Sequence, residues 1–458
     1  MKRTLSLSAI VSVVFFNVAG GTYALEGVLA AGPGLALMLI VVTPLVWSAP
    51  VALVCAELGT TIPEEGGYYA WSKRALGPFG AYCQGWWAWL YTMVDIGIYP
   101  TMFCDYLAYF WPDVGEAGSY WLRRAVMLTM IWGFVLLNLR GAHTIGNFAK
   151  AFTFAVVVPF VILMLAGVYQ GLTGGFLFSA TTPVVAEGKT FQAAFAAAIP
   201  IALWNYLGWD SISTIAGEMD DPRRNYPKAL LIAILLICTI YILPTIVSLL
   251  LVGTPLRVDG QTVEWDTGAW AVAGKLIAGN WLGTIISAIG MVSAVGLYSA
   301  LVLVYSRVPF VMSQDGYLPN VLVQQNTFGA PSVSLVVSGA LYSGIVLYFD
   351  DLDALAAADV TMYAGMMSLE LVSFLALRWR EPALARPFKV PGGWPIAVVL
   401  CLLPWSCIGA GAYFRVLELS VMEVLGKAAI IMGTPLLLYP FIEARRRTTN
   451  SMSVDDSH

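Results

Sequence analysis

The chain repeats one feature from end to end: apolar runs, each about long enough to cross a bilayer, separated by short charged or Pro/Gly-rich breaks. A spanning helix needs roughly 20 apolar residues, and backbone facing lipid must satisfy its own hydrogen bonds. Few folds survive that constraint. The runs predict about twelve spans, over residues 5–29, 35–57, 79–110, 125–139, 151–171, 191–217, 229–252, 282–304, 333–348, 360–377, 396–414 and 421–441. With 59% hydrophobic and 11% charged residues, the chain lacks polar surface for a soluble domain, which carries about 25% charged residues. The expectation is an all-α membrane protein, one polytopic domain over 1–442 with a short cytoplasmic tail over 443–458.

Lys and Arg set the orientation. An inside N-terminus puts 17 of the 24 basic residues on inner segments and six (Arg123, Arg124, Lys189, Arg257, Lys275 and Arg415) on outer ones, with Lys427 inside the last span. Both termini then face the cytoplasm, and the expected location is the cell inner (plasma) membrane. Lys2-Arg3 and the apolar run behind them imitate a secretory signal, but the run continues to Ala31 and reads as a full span. The six cysteines lie in or near apolar runs with no CxxC pair, and there are two histidines, His143 and His458. A metal site has almost no raw material, and no cofactor or nucleic-acid partner is expected.

Two spans carry a flaw. The first is interrupted at Ala19-Gly20-Gly21-Thr22, the sixth around Asn205-Tyr206-Leu207-Gly208, with Trp204, Trp209 and Asp210 beside it. Glycine raises the cost of helix, so each is a point of unwinding. Open backbone at mid-membrane depth is tolerated where protein, water or a ligand completes it. The breaks fall at corresponding places in two five-span units, the pattern of an inverted-repeat transporter with its substrate near the midplane. The units run over about 5–172 and 191–378, with two extra helices over about 396–441. The competing reading takes Gly20-Gly21 as a helix-packing patch.

Acids accumulate at the same depths: Glu26 after the first break, Asp95 and Asp105 in span three, Asp210 at the second break, and Glu370 in span ten. No basic residue sits among them, Lys150 lying at the start of span five. Unpaired acids in a membrane bind a cationic substrate, carry protons, or sit neutral and hydrogen-bonded. Tyr23, Tyr99, Trp204, Tyr206 and Trp209 crowd the breaks and suit a cation–π cage, although Tyr and Trp are also common packing residues.

Four stretches carry a family resemblance: Pro63-Glu64-Glu65-Gly66-Gly67-Tyr68, Gly217-Glu218 with Asp221-Pro222-Arg223-Arg224-Asn225-Tyr226-Pro227-Lys228, Ser306-Arg307 with Asp315-Gly316-Tyr317-Leu318-Pro319, and Arg386-Pro387-Phe388-Lys389-Val390-Pro391. Over nearly its whole length the chain resembles the amino acid–polyamine–organocation superfamily of permeases. Ala19-Gly20-Gly21 with Glu26, Asp95 with Tyr99-Pro100, Trp209-Asp210-Ser211, and Glu370 bring it nearest to plant-type polyamine uptake transporters. The resemblance implies a five-plus-five repeat with discontinuous helices one and six, and proton-coupled uptake of a small organic amine. It also implies substrate contacts at Gly20, Gly21, Glu26, Asp95, Tyr99, Trp209 and Asp210. With the aromatic and break residues, the expected substrate site comprises Ala19, Gly20, Gly21, Tyr23, Glu26, Asp95, Tyr99, Trp204, Asn205, Tyr206, Trp209 and Asp210. The proton-coupling candidates are Glu26, Asp95, Asp210, Glu370 and Lys150. Lys150 competes with Thr153 for the place of a span-five lysine that stands in for sodium in some superfamily members.

The closest rival keeps the transporter and makes the substrate an amino acid, its carboxylate held by N–H groups at the first break. An intramembrane aspartyl protease using Asp95 and Asp210 lacks the YD and GxGD contexts of such enzymes. A nutrient receptor or channel is the remaining alternative.

Overall fold

The first apolar run forms helix α1 (Leu7–Val18), stops at Ala19, and resumes as a 3-10 turn (Thr22–Ala24) and a short helix α2 (Glu26–Leu29). Gly20 and Gly21 take φ of 58° and 102°, conformations that cost other residues strain and glycine little. The sixth run behaves alike. Helix α8 (Phe191–Trp204) ends at Asn205, Gly208 takes φ 89°, and a 3-10 stretch (Ser211–Glu218) follows.

These details come from a computed structural model, which describes residues 5–115, 118–175, 184–258, 260–348, 352–418, 426 and 432–446. Between the breaks lie α3 (Pro33–Thr43), α4 (Ala49–Thr61), α5 (Tyr68–Leu107), α6 (Tyr120–Asn138) and α7 (Ala142–Gly174). After the second come α9 (Pro222–Leu251), α10 (Ala269–Ala278), α11 (Asn280–Tyr305), α12 (Arg307–Gln314), α13 (Ser332–Tyr348), α14 (Leu352–Arg380) and α15 (Gly393–Glu418). Residues 432–446 are helical. Most of the twelfth expected span, Lys427, and the tail beyond 446 lie outside the described residues.

Local chemistry explains the boundaries. Pro33 and Pro222 open their helices at the position where a missing N–H costs nothing. Ser119 and Thr190 cap α6 and α8, their hydroxyls accepting from Leu122 and Ala193 N–H at 3.4 and 3.2 Å. Pro44 leads a five-residue π turn that joins α3 to α4. Two features went unforeseen: α10, and a β-hairpin pairing Leu256–Val258 with Gln261–Val263. Helix α5 starts at Tyr68, eleven residues before the expected span. Its early basic residues Lys73 and Arg74 end on Asp315 and Glu381, both at 2.6 Å.

Seven helices among the described residues are long and apolar enough to cross a membrane. Phe154, Leu165 and Leu172 on α7 and Leu235 on α9 are all more than half exposed, a surface suited to lipid and costly in water. The interior holds the polar groups. Glu218 meets Arg307 at 2.7 Å in a fully buried pair, and Glu57 is clamped by Arg378 and, at 3.2 Å, by Arg386. The first and sixth runs meet beyond the breaks as well, Leu5 N–H donating to Glu218 O at 3.1 Å.

Candidate functional site

The two breaks touch. A Cβ built on Gly208 would lie 2.3 Å from the Asn17 carbonyl oxygen, so the second break rests its backbone directly on the last turn of α1. Side chains then complete the open backbone. Ser293 of α11 donates to Gly20 O in a short bond. Asn205 Nδ2 donates to Ala24 O at 2.8 Å, and Trp270 Nε1 to Thr22 O at 2.7 Å. Tyr241 of α9 reaches Asn205 O at 3.1 Å and Ala19 O at 3.4 Å, joining the breaks.

Between the breaks and α5 lies a cavity of about 20 Å³, space for about one water. Of the expected residues, Ala19, Asp95, Tyr99, Trp204 and Asn205 line it. Asp95 is buried and accepts from Tyr99 O–H at 2.7 Å and Tyr305 O–H at 2.8 Å, and the Tyr305 hydroxyl lies 3.2 Å from that of Tyr91. The Tyr99 ring stacks on Trp204, centroids 6.5 Å apart. Asn17, also on the wall, is buried, and neither atom of its side-chain amide is bonded among the described residues. Charge and aromatic surface therefore face a space too small for an organic molecule, so any such ligand requires the walls to part.

A second cavity of about 110 Å³ lies beside α2 and shares Ala24 and Trp204 with the first. Tyr23 and Glu26 line it, with Asp266 of the segment after the hairpin. The Glu26 carboxylate accepts from Gly268 N–H at 2.9 Å, Tyr106 O–H at 3.0 Å and Trp270 N–H at 3.3 Å. Three donors satisfy its oxygens, with no basic partner among the described residues.

Asp210 and Glu370 line neither cavity. They lie within hydrogen-bonding reach of each other. Tyr363 donates to Asp210 Oδ1 in a short bond and accepts from Gly208 N–H at 3.2 Å, and Gln84 donates to Glu370 Oε1 at 3.0 Å. Asp210 Oδ2 and Glu370 Oε2 are buried with no further bond among the described residues. One proton between them satisfies both, and two charges there would repel.

The remaining expected residues sit apart. Gly20 packs on Leu297 and Gly21 on Val156. Tyr206 donates to Ile40 O at 2.8 Å, a helix-tying role, and Trp209 is buried with its indole N–H unbonded among the described residues. Lys150 is half-buried on α7, with no bond to any of these acids among the described residues. Asp105 is paired with Arg123 at 2.6 Å. Sequence reading missed Asn17, Tyr305, Tyr363 and the buried acid Asp359. The repeat of Tyr91, Asp95 and Tyr99 at four-residue spacing, one face of a helix, was legible and overlooked.

Two interrupted helices that meet beside an acid-walled cavity, within a body of long apolar helices, mark a multi-pass membrane protein. The chain belongs to the amino acid permease family, whose profile matches residues 4–424. It is a membrane transporter of small organic molecules rather than an enzyme. Among similar proteins, polyamine transporter RMV1 of Arabidopsis thaliana is 32% identical over 442 residues, covering 96% of this chain and 86% of that one. Polyamine transporter PUT1 of Oryza sativa is 32% identical over 458 residues, covering 99% and 81%. An uncharacterized transporter of Legionella pneumophila is 26% identical over 365 residues, 75% of each chain.

Proposed function

We propose that the chain takes up polyamines or related organic cations across the cell inner membrane by alternating access, driven by protons. The observation that carries the reading is the cavity between the breaks, walled by Asp95, Tyr99 and Trp204, with no basic residue on its wall. An ammonium group matches that wall, whereas the carboxylate of an amino acid would meet Asp95 at close range. The names of the plant relatives support the same substrate class. The topology is twelve spans, five plus five in inverted repeat over about 5–172 and 191–378, with both termini cytoplasmic and membrane lipid around the body. Substrate contacts fall to Ala19, Asp95, Tyr99, Trp204 and Asn205, with Tyr23 and Glu26 lining the approach. Gly20, Gly21, Tyr206, Trp209 and Asp210 shape the breaks. The Asp210–Glu370 pair carries the proton, because it can gain or lose one charge beside Gly208 without a salt bridge being broken. Glu26, Asp95 and Lys150 rank behind it.

The family's own name favours a second reading, an amino-acid symporter or exchanger. Uptake of labelled putrescine and spermidine into proteoliposomes, with an imposed pH gradient and amino acids as competitors, separates the two. The proposal expects gradient-dependent amine uptake that amino acids do not inhibit. Robust amino-acid exchange without amine uptake would replace it with the second reading.

A further inference from the structure

We propose that Asp359, on α14, is the second carboxylate of the central site, set opposite Asp95 so that the two acids together select substrates carrying two ammonium groups. The inference rests on the amine-transport reading above and assigns that site a residue and a preference.

Helices α5 and α14 pack along each other, and two contacts fix their register. Gln84 bonds Glu370 at 3.0 Å, and the rings of Tyr91 and Tyr363 lie 5.2 Å apart. From Gln84 to Tyr91 the chain advances seven residues along α5, and from Glu370 to Tyr363 it retreats seven along α14. The helices therefore run antiparallel in step. One further turn, four residues each way, brings Asp95 and Asp359 face to face. The electrostatic neighbours agree: Asp95 acts on Asp359, and Asp359 acts on Tyr91 and Tyr99, all three of these neighbours being on the cavity wall.

The bonding of the two acids differs. Asp95 has a phenol on each oxygen. Asp359 is fully buried and has no partner on either oxygen among the described residues. Burying a carboxyl with both oxygens unbonded is costly whether it is charged or neutral. A ligand that supplies N–H donors removes that cost. An alkylammonium brings three, so each acid can hold an ammonium group of its own, with donors left for a neighbouring polar group such as Asn17, whose side-chain amide has no bond among the described residues. With both acids ionised in the bound state the site carries two negative charges, and no basic residue among the described residues lines the cavity. A diamine balances both. A monoamine leaves one uncompensated, and a zwitterionic amino acid leaves both.

The test is displacement of labelled putrescine from the purified full-length protein by butylamine, its one-ammonium analogue of equal chain length, and by unlabelled putrescine. Wild type should favour putrescine at least tenfold. Asp359→Asn should weaken putrescine ten- to hundredfold and leave butylamine within threefold, collapsing the preference, while Asp359→Glu keeps it. Equal displacement by the two amines in the wild type, which requires no folded variant, overturns the inference. So does an Asp359→Asn protein that retains wild-type putrescine affinity. Wild type that binds neither amine overturns the amine-transport reading itself, a distinguishable result.

Discussion

Asp95→Asn removes one negative charge and little volume, so its effect isolates charge. The carboxylate sits on the cavity wall with phenols at 2.7 and 2.8 Å holding both oxygens in place. A substrate ammonium about 4 Å from it gains roughly 4 kcal/mol at an effective dielectric of about 20. Desolvating the ammonium takes part of that back, and the amide dipole of asparagine retains a little of the rest. A net loss of about 2–3 kcal/mol is expected, or roughly 30- to 150-fold in KM. The assay is initial-rate uptake of labelled spermidine into proteoliposomes, with gel filtration and Tm of the same preparation showing that the variant is folded. Asp95→Glu, which keeps the charge a methylene further out, should fall between. A folded Asp95→Asn protein whose KM lies within threefold of wild type would refute the assignment of Asp95 to the substrate.

Three further perturbations probe separate parts. Gly208→Ala places a methyl against the Asn17 carbonyl at φ 89°, a strained and overpacked position worth about 2–4 kcal/mol; Tm should fall and uptake be lost, and an unchanged Tm would mean that the breaks do not abut. Glu370→Gln should abolish gradient-driven accumulation and spare exchange of labelled for unlabelled amine, whereas normal accumulation removes the Asp210–Glu370 pair from coupling. Glu65, in the loop between α4 and α5, is pushed up from 4.5 to about 7 by burial, with Glu218 adding to the rise and Arg307 opposing it. A raised acid favours the folded state most when protonated, so its contribution is full below about pH 4.5 and lost as pH rises through about 7. Glu65→Gln should therefore raise Tm at pH 8 relative to wild type, by the equivalent of roughly 2–3 kcal/mol, and flatten the profile between pH 5 and pH 8; parallel profiles would refute it.

The breaks were legible because glycines interrupt otherwise unbroken apolar runs, and an interruption in lipid has few physical explanations. Glu26, Asp95, Asp210 and Glu370 were legible for the same reason, as charges standing out against an apolar background. Asp359 was missed because the acids at 350, 351 and 353 made the start of span ten look like a loop; α14 in fact begins at Leu352 and carries Asp359 two turns inside. Tyr305 and Tyr363 resemble ordinary core aromatics until their hydroxyls are seen to meet Asp95 and Asp210. The clamp on Glu57 joins residues 321 positions apart, and no local pattern announces such a pair. Periodicity and isolated charge survive in one dimension, while the partners that satisfy those charges are fixed by how helices pack.

Saturation binding of labelled spermidine to the purified protein at neutral pH tests the cation site between the breaks most directly. The account predicts one displaceable site per chain, competed by putrescine and not by amino acids, and abolished in Asp95→Ala. Spermidine binding that amino acids displace, or that persists in a folded Asp95→Ala protein, would contradict it.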